Sequence, residues 1–195
     1  VGLVALSDPL RLDVKETIDI TKQAGIRTVM ITGDHVRTAQ SIARELGIPG
    51  EDHQIFDGQK LEKLSDEELK KAVRDIYVFA RVDPKHKIRI VQAFQSNGEI
   101  VAMTGDGVND APALKNADMG VAMGLTGTEV AREASDMVLM DDNFATIVNA
   151  IEEGRTIFEN IKKFIAYILT SNVPQILPFI AFVLLINKAT ELLSP

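Results

Sequence analysis

The chain has no cysteine and no tryptophan, and only three histidines, at positions 35, 53 and 86. The missing cysteines exclude a disulfide framework, a thiolate metal site and a cysteine nucleophile. Three scattered histidines argue against a histidine metal cluster. Positive charge is the minority: 21 Lys and Arg face 28 Asp and Glu, a formal charge of −7. That balance argues against nucleic acid as a partner, which usually meets a basic face. Charge of either sign is absent from Phe164 to Ile186. This uncharged run exceeds the ~20 residues needed to cross a bilayer. Lys162 and Lys163 precede it, which places its N-terminal end, and residues 1–163 with it, on the cytoplasmic side. The alternative is a buried helix of a larger soluble protein.

What is present is ordinary for a globular chain: 46% hydrophobic and 25% charged over 195 residues. The first 145 residues alternate between short apolar runs and helical spacing. Val14, Ile18 and Thr21 share a helical face that ends at Gly25. Strands are expected at 28–31, 77–80, 100–103, 119–122 and 137–140. Between them, Ala39, Ile42, Ala43 and Leu46 read as a helix closed by Gly47. Pro84 opens another, carrying Ile88, Val91 and Phe94, and a surface helix is expected over 65–74. Short apolar strands separated by amphipathic helices imply a parallel sheet covered on both faces, with ligands beyond the carboxyl ends of its strands. Two T-G-D triplets, Thr32-Gly33-Asp34 and Thr104-Gly105-Asp106, fall at that edge. From Asn143 the pattern becomes one long helix that continues into the uncharged run.

The densest chemical signal is T-G-D-G-V-N-D-A-P-A-L, residues 104–114. Asp106 and Asp110 flank a glycine-rich turn that opens a helix. Glycines admit a phosphate close to the backbone, but two carboxylates repel it, so a hard cation belongs between them. Mg²⁺ fits, taking oxygen ligands from one or two carboxylates plus phosphate. Thr32 and Gly33 offer a hydroxyl and backbone N–H groups to a phosphoryl group; a helix N-cap is the competing reading of that triplet. Lys87, just inside its helix, can neutralise phosphoryl charge or sit as a solvated lysine. Within the uncharged run, Thr170, Ser171, Asn172 and Gln175 lie beside Pro174 and Pro178. They suit either cation coordination or helix–helix contact.

The strings MITGDHVRTA, ARVDPKHK and TGDGVNDAPALKNADMGVAMG together resemble the phosphorylation domain of P-type cation-transporting ATPases of type II, the group of the calcium and sodium–potassium pumps. Asp8-Pro9-Leu10-Arg11 matches that group's D-P-x-R element. The resemblance implies an α/β fold, haloacid-dehalogenase-like (Rossmann-like), with a parallel sheet and helices on both faces. A long helix then continues into a transmembrane span. It divides the chain into a partial phosphorylation domain at 1–145, a stalk helix at 146–163, the span at 164–186 and a tail at 187–195.

The resemblance also implies ATP and Mg²⁺ as cofactors, with Asp106 on the metal and Asp110 beside it as a possible second ligand. Asn109 supports that site. Thr32 and Gly33 hold the phosphoryl group, Asp34 orients the nucleotide end, Lys87 stabilises the transferred charge and Arg81 helps bind ATP. Ser171, Asn172 and Gln175 contribute to a site for a transported cation, Ca²⁺, Na⁺ or K⁺. Gln175 stands where the family generally has Glu, which keeps an oxygen ligand and drops a charge.

The family's nucleophile is the aspartate of a D-K-T-G motif, and no such motif occurs here. Other parts of the same pump, and a lipid membrane, are therefore implied partners, and the isolated chain is expected to be inactive. A phosphatase of the same fold would instead carry D-x-D near its start and no span. A membrane-anchored, non-catalytic fragment is the remaining reading.

Overall fold

The computed structural model describes Leu10 and residues 12–192, with side chains for Leu10 and residues 13–186. Asp8, Pro9 and Arg11 of the D-P-x-R element lie outside the described residues, as do the side chains of the tail. The chain divides into two compact units, Val1–Val148 and Asn149–Pro195.

In the first unit, α1 (Leu12–Gln23), α2 (Val36–Leu46), α3 (Gly58–Lys63), α4 (Asp66–Ala72), α5 (Pro84–Gln95), α6 (Ala111–Asn116) and α7 (Glu129–Ala134) alternate with six short strands. These are β1 (Met30–Ile31), β2 (Ile55–Asp57), β3 (Val78–Ala80), β4 (Ala102–Gly105), β5 (Met119–Met123) and β6 (Met137–Leu139). Local chemistry sets the helix boundaries. Gly47 closes α2 with φ +74°, a left-handed conformation that glycine adopts without strain. Ser65 and Glu68 form a capping box at the start of α4. Pro84 occupies the first turn of α5, where its missing N–H is not needed.

The strands do not form the single sheet expected. They form two parallel three-stranded sheets, ordered β1-β3-β2 and β4-β5-β6. Strand β2 is not among the strands expected, and it pairs with β3 through Ile55 and Val78. Strand β4 begins two residues later than expected. Ile100 is 86% exposed, and the Val101 carbonyl is taken by the amides of Asp118 and Met119. Helix α5 serves both sheets. Its Ile90, Ala93 and Phe94 join Leu69, Val73 and Phe79 in one core, while its Val91 joins Met103, Leu114 and Ala122 in another. Ile31 of β1 and Val101 beside β4 pack against both cores.

The second unit belongs to a single helix. Helix α8 runs from Ala145 to Leu192, 48 residues with Pro174 and Pro178 inside it. At ~1.5 Å per residue it is about 70 Å long, more than twice the ~30 Å hydrocarbon core of a bilayer. It is long and apolar enough to cross a membrane, by length and composition. Its apolar side chains are exposed, Phe164 at 63% and Phe179 at 71%.

Phe79 is fully buried at the centre of the first sheet and meets Phe56 edge to face at 6.3 Å. Phe79→Ala is expected to destabilise the α/β unit by about 3–5 kcal/mol, read from the urea midpoint of the purified chain.

Candidate phosphoryl-transfer site

The two T-G-D triplets follow β1 and β4. The first is wired into the chain beyond β3. The Thr32 amide donates to the Phe79 carbonyl at 2.9 Å, and the Thr32 carbonyl accepts from the Val82 amide at 3.1 Å. The Asp34 carbonyl accepts from the Arg81 amide at 2.9 Å. Arg81 takes a left-handed φ of +53° to make this connection, and its side chain is exposed. The Thr32 hydroxyl donates to Asp34 Oδ2 at 2.9 Å and accepts from the Asp34 amide at 3.1 Å. Gly33 and Asp34 are exposed. The helix cap here is His35, whose Nδ1 accepts from the Arg37 amide. Thr32-Gly33-Asp34 is therefore a loop ahead of the cap, exposed at Gly33 and Asp34.

Beyond β4 the strand runs into Asp106, Gly107, Val108 and Asn109 before α6. Asp106 and Asn109 are exposed. Among the described residues, no hydrogen bond or ion pair engages the Asp106 carboxylate. Asp110 is the opposite: it is 6% exposed. Its Oδ1 accepts from Lys87 Nζ in an ion pair, and its Oδ2 accepts from the Gly107 amide at 3.1 Å. Lys87 reaches it from the first turn of α5. Gly105 makes room for this, because a Cβ there would stand 2.5 Å from Asp110 Cβ and 2.8 Å from its Cγ. Thr32 is bonded to Val82, α5 starts two residues later, and Lys87 joins Asp110 beside Asp106. Backbone bonds thus join Thr32 and Asp34, on either side of Gly33, to Val82 and Arg81, and an ion pair joins Lys87 to Asp110, on whose turn Asp106 and Asn109 lie.

Reading the sequence did not single out the support behind Asp106. The Asp106 carbonyl accepts from the Thr128 amide at 2.8 Å. Thr128 ends a loop held from two sides. Arg132 donates to the carbonyls of Gly124 and Gly127 at 2.9 and 3.0 Å. Asp142 accepts from the amides of Leu125 and Thr126 at 2.9 and 2.7 Å. Asp142 is 5% exposed and has φ +50°, a region Asp tolerates better than most residues. Burial pushes its carboxyl up, but the Thr126 hydroxyl and the Leu125 and Thr126 amides outweigh that and hold it at about 2. The signal available in the sequence was the Asp141-Asp142-Asn143 cluster before the long helix.

Ser171, Asn172 and Gln175 lie in the second unit, on α8. Ser171 and Gln175 are one turn apart on the same side of the helix, and Asn172 is on the next face round. Pro174 and Pro178 cannot donate, so the carbonyls of Thr170 and Pro174 lose their usual helical partners.

Comparison with known proteins gives the family of the chain. Residues 1–118 match the haloacid dehalogenase-like hydrolases, and the chain belongs to that family. It is 59% identical over 184 residues to the calcium-transporting ATPase of Bacillus subtilis (strain 168), covering 94% of this chain and 21% of that one. It is 44% identical over 210 residues to the sodium/potassium-transporting ATPase subunit alpha-A of Artemia franciscana, covering 94% and 21%. The crystal structure of a zinc-transporting PIB-type ATPase in its E2.Pi state superimposes with a TM-score of 0.61 at 32% identity, over 80% of this chain and 21% of that one. The chain thus spans about a fifth of the length of the pumps it matches.

Two outcomes follow from the geometry. Gly105→Ala is expected to displace Asp110 and to destabilise the unit by roughly 1–3 kcal/mol, the usual range for overpacking. Denaturant unfolding checks the stability, and the Lys87 Nζ resonance checks the displacement. The depressed pKa of Asp142 makes its contribution complete above the unfolded carboxyl value of about 3.9, and lost as pH falls through about 2. Hydrogen exchange at the Leu125 and Thr126 amides should therefore stay slow at neutral pH and accelerate, relative to Asp142→Ala, only in that acid window.

Proposed function

We propose that this chain is the segment of an ATP-driven, P-type cation pump that supplies the metal-binding and phosphoryl-stabilising half of the phosphorylation site, together with part of the membrane cation site. The observation that carries this reading is the contact chain from Thr32 through Val82 and Lys87 to Asp110. It gathers a hydroxyl, the exposed Gly33, an ammonium and two carboxylates, which is a phosphoryl-transfer set without its nucleophile.

The donor set fits Mg²⁺. Asp106 is exposed and unengaged, and carboxylate oxygen is the donor a hard cation takes. When bound there, Mg²⁺ offsets charge on the phosphoryl oxygens. Asp110 backs the site by fixing Lys87 and the Gly107 amide, and Asn109 lies exposed on the same turn. Thr32 and Gly33 hold the phosphoryl oxygens once the Thr32 hydroxyl turns from Asp34. Lys87 contributes positive charge, and Asp34 and Arg81 flank the nucleotide end.

The nucleophile comes from elsewhere in the pump, since no D-K-T-G occurs here. Among the described residues, β1 and β4 are edge strands of their parallel sheets, both resting on α5. A strand carrying the nucleophile between them joins the halves into one sheet and delivers its aspartate to the shared edge. Without it the chain alone turns over no ATP.

In the membrane, the freed carbonyls of Thr170 and Pro174, with Ser171, Asn172 and Gln175, supply oxygen ligands to the transported cation. Residues 1–163 lie in the cytoplasm. The chain's relatives transport calcium or sodium and potassium, which gives Ca²⁺, Na⁺ and K⁺ as the candidates.

The test uses native membranes, a short pulse of γ-labelled ATP, and capture with an antibody to residues 50–75. A large band with acid-stable label that responds to Ca²⁺, Na⁺ or K⁺ is the expected result and names the ion. An unlabelled band under all three ions sinks the reading.

A further inference from the structure

Among the described residues, one group of three potential metal ligands stands outside this set: Glu62, Asp83 and His86. Glu62 projects from α3, Asp83 is the N-cap of α5, and His86 lies in the first turn of α5. One oxygen or nitrogen from each lies within 4.8 Å of the others. The two carboxylates are exposed, whereas His86 is 3% exposed. Its Nε2 is buried and makes no hydrogen bond. Glu62 Oε2 stands 3.9 Å from it, beyond hydrogen-bond reach. Buried polar atoms are nearly always satisfied, so an orphaned imidazole nitrogen facing a carboxylate just out of reach needs a reason.

We infer that Glu62, Asp83 and His86 form a binding site for a divalent transition cation of the zinc class. The ligand types select that class. One imidazole and two carboxylates suit a borderline-soft ion, which is held at about 2.0–2.2 Å by such donors and leaves a position for water. The present spread is wider than a bound ion allows, and the exposed Glu62 and Asp83 side chains have the freedom to close it. Two features oppose binding. Lys85 is ion-paired to the other oxygen of Glu62, but both side chains are more than half exposed, where such pairs are weak. His86 Nδ1 accepts from the Asp83 amide at 3.3 Å. A cation on Nε2 leaves the ring proton on Nδ1, so this bond is surrendered, and at 3.3 Å it is already long. A bound ion ties α3 to the turn of α5 that carries Lys87, one residue beyond His86. The site shares no ligand with Asp106.

The experiment is calorimetric titration of the purified, detergent-solubilised chain with Zn²⁺ in excess Mg²⁺, followed by the Asp83 amide resonance. The expected result is one saturable zinc site, with a shift at Asp83 and unchanged affinity in Asp106→Asn. Outer-shell changes at metal sites already cost about 10–100-fold, so Glu62→Gln, Asp83→Asn and His86→Asn should each weaken binding by about 100-fold or more. Lys85→Met should tighten it. His86→Asn can disturb the core, so the decision rests on the exposed Glu62 and Asp83 variants. Absence of saturable binding at millimolar Zn²⁺ overturns the inference. So does binding that both carboxylate variants leave unchanged, because the ion then sits elsewhere, for example at the exposed His53 beside Glu51.

Discussion

The pairing of Lys87 with Asp110 holds the candidate site together. Its side chains are 18% and 9% exposed, so both charges have largely left water. Such a pair is stable only when each partner is satisfied, and breaking one by removing a partner costs about 3–5 kcal/mol in typical proteins. Here the second Asp110 oxygen is met by the Gly107 amide, and Gly105 supplies the space the carboxylate occupies. Lys87 belongs to the helix whose apolar face lies under both sheets. The ion pair therefore fixes the polar end of α5 while Ile90, Val91 and Phe94 fix its body.

That arrangement accounts for how two small sheets can share one edge. Strands of two to five residues carry few ladder bonds, and parallel strands depend on helices to cover them. The binding of β1 to β4 is indirect: Ile31 and Val101 meet the same helix, and no backbone bond joins the two strands. Open edges of this kind invite pairing with another strand. Their shortness limits how much of an intruding strand they can hold, and the T-G-D loops at their ends fix which way it must run.

Much of this was legible in the residues. The helices at 36–46 and 84–95 follow from apolar spacing, a closing Gly47 and an opening Pro84, all local signals. The T-G-D-G-V-N-D string located the Asp106 and Asp110 turn because its glycines and carboxylates act at adjacent positions. What stayed hidden depends on distant partners. Strand β2 has three residues inside a polar stretch and exists because β3 pairs with it. Strand β4 starts at Ala102 because its pairing with β5 begins there, opposite Met119. The division of the sheet could not be read from strands that are individually typical. The different fates of Asp106 and Asp110 were also unreadable, since only the fold brings Lys87 to the second and leaves the first open.

The support behind Asp106 shows how a long helix and a reactive turn come to depend on common residues. Asp142 holds the loop whose last amide, that of Thr128, holds the Asp106 carbonyl. The next residue, Asn143, accepts from the Ala145 amide at 2.8 Å and so caps α8, while Asp141 accepts from the Thr146 hydroxyl at 2.7 Å. Phe144 packs into the core with Ile18, Ala39 and Val78. Three consecutive side chains thus serve the loop, the helix cap and the core in turn. The left-handed φ of Asp142 is what lets the chain reverse between those tasks. Moving the start of α8 without disturbing Asp106 would require Asp142 to release two amides from a buried position. The first turn of the helix and the Asp106 turn are thus held to the same loop by bonds that are expensive to break.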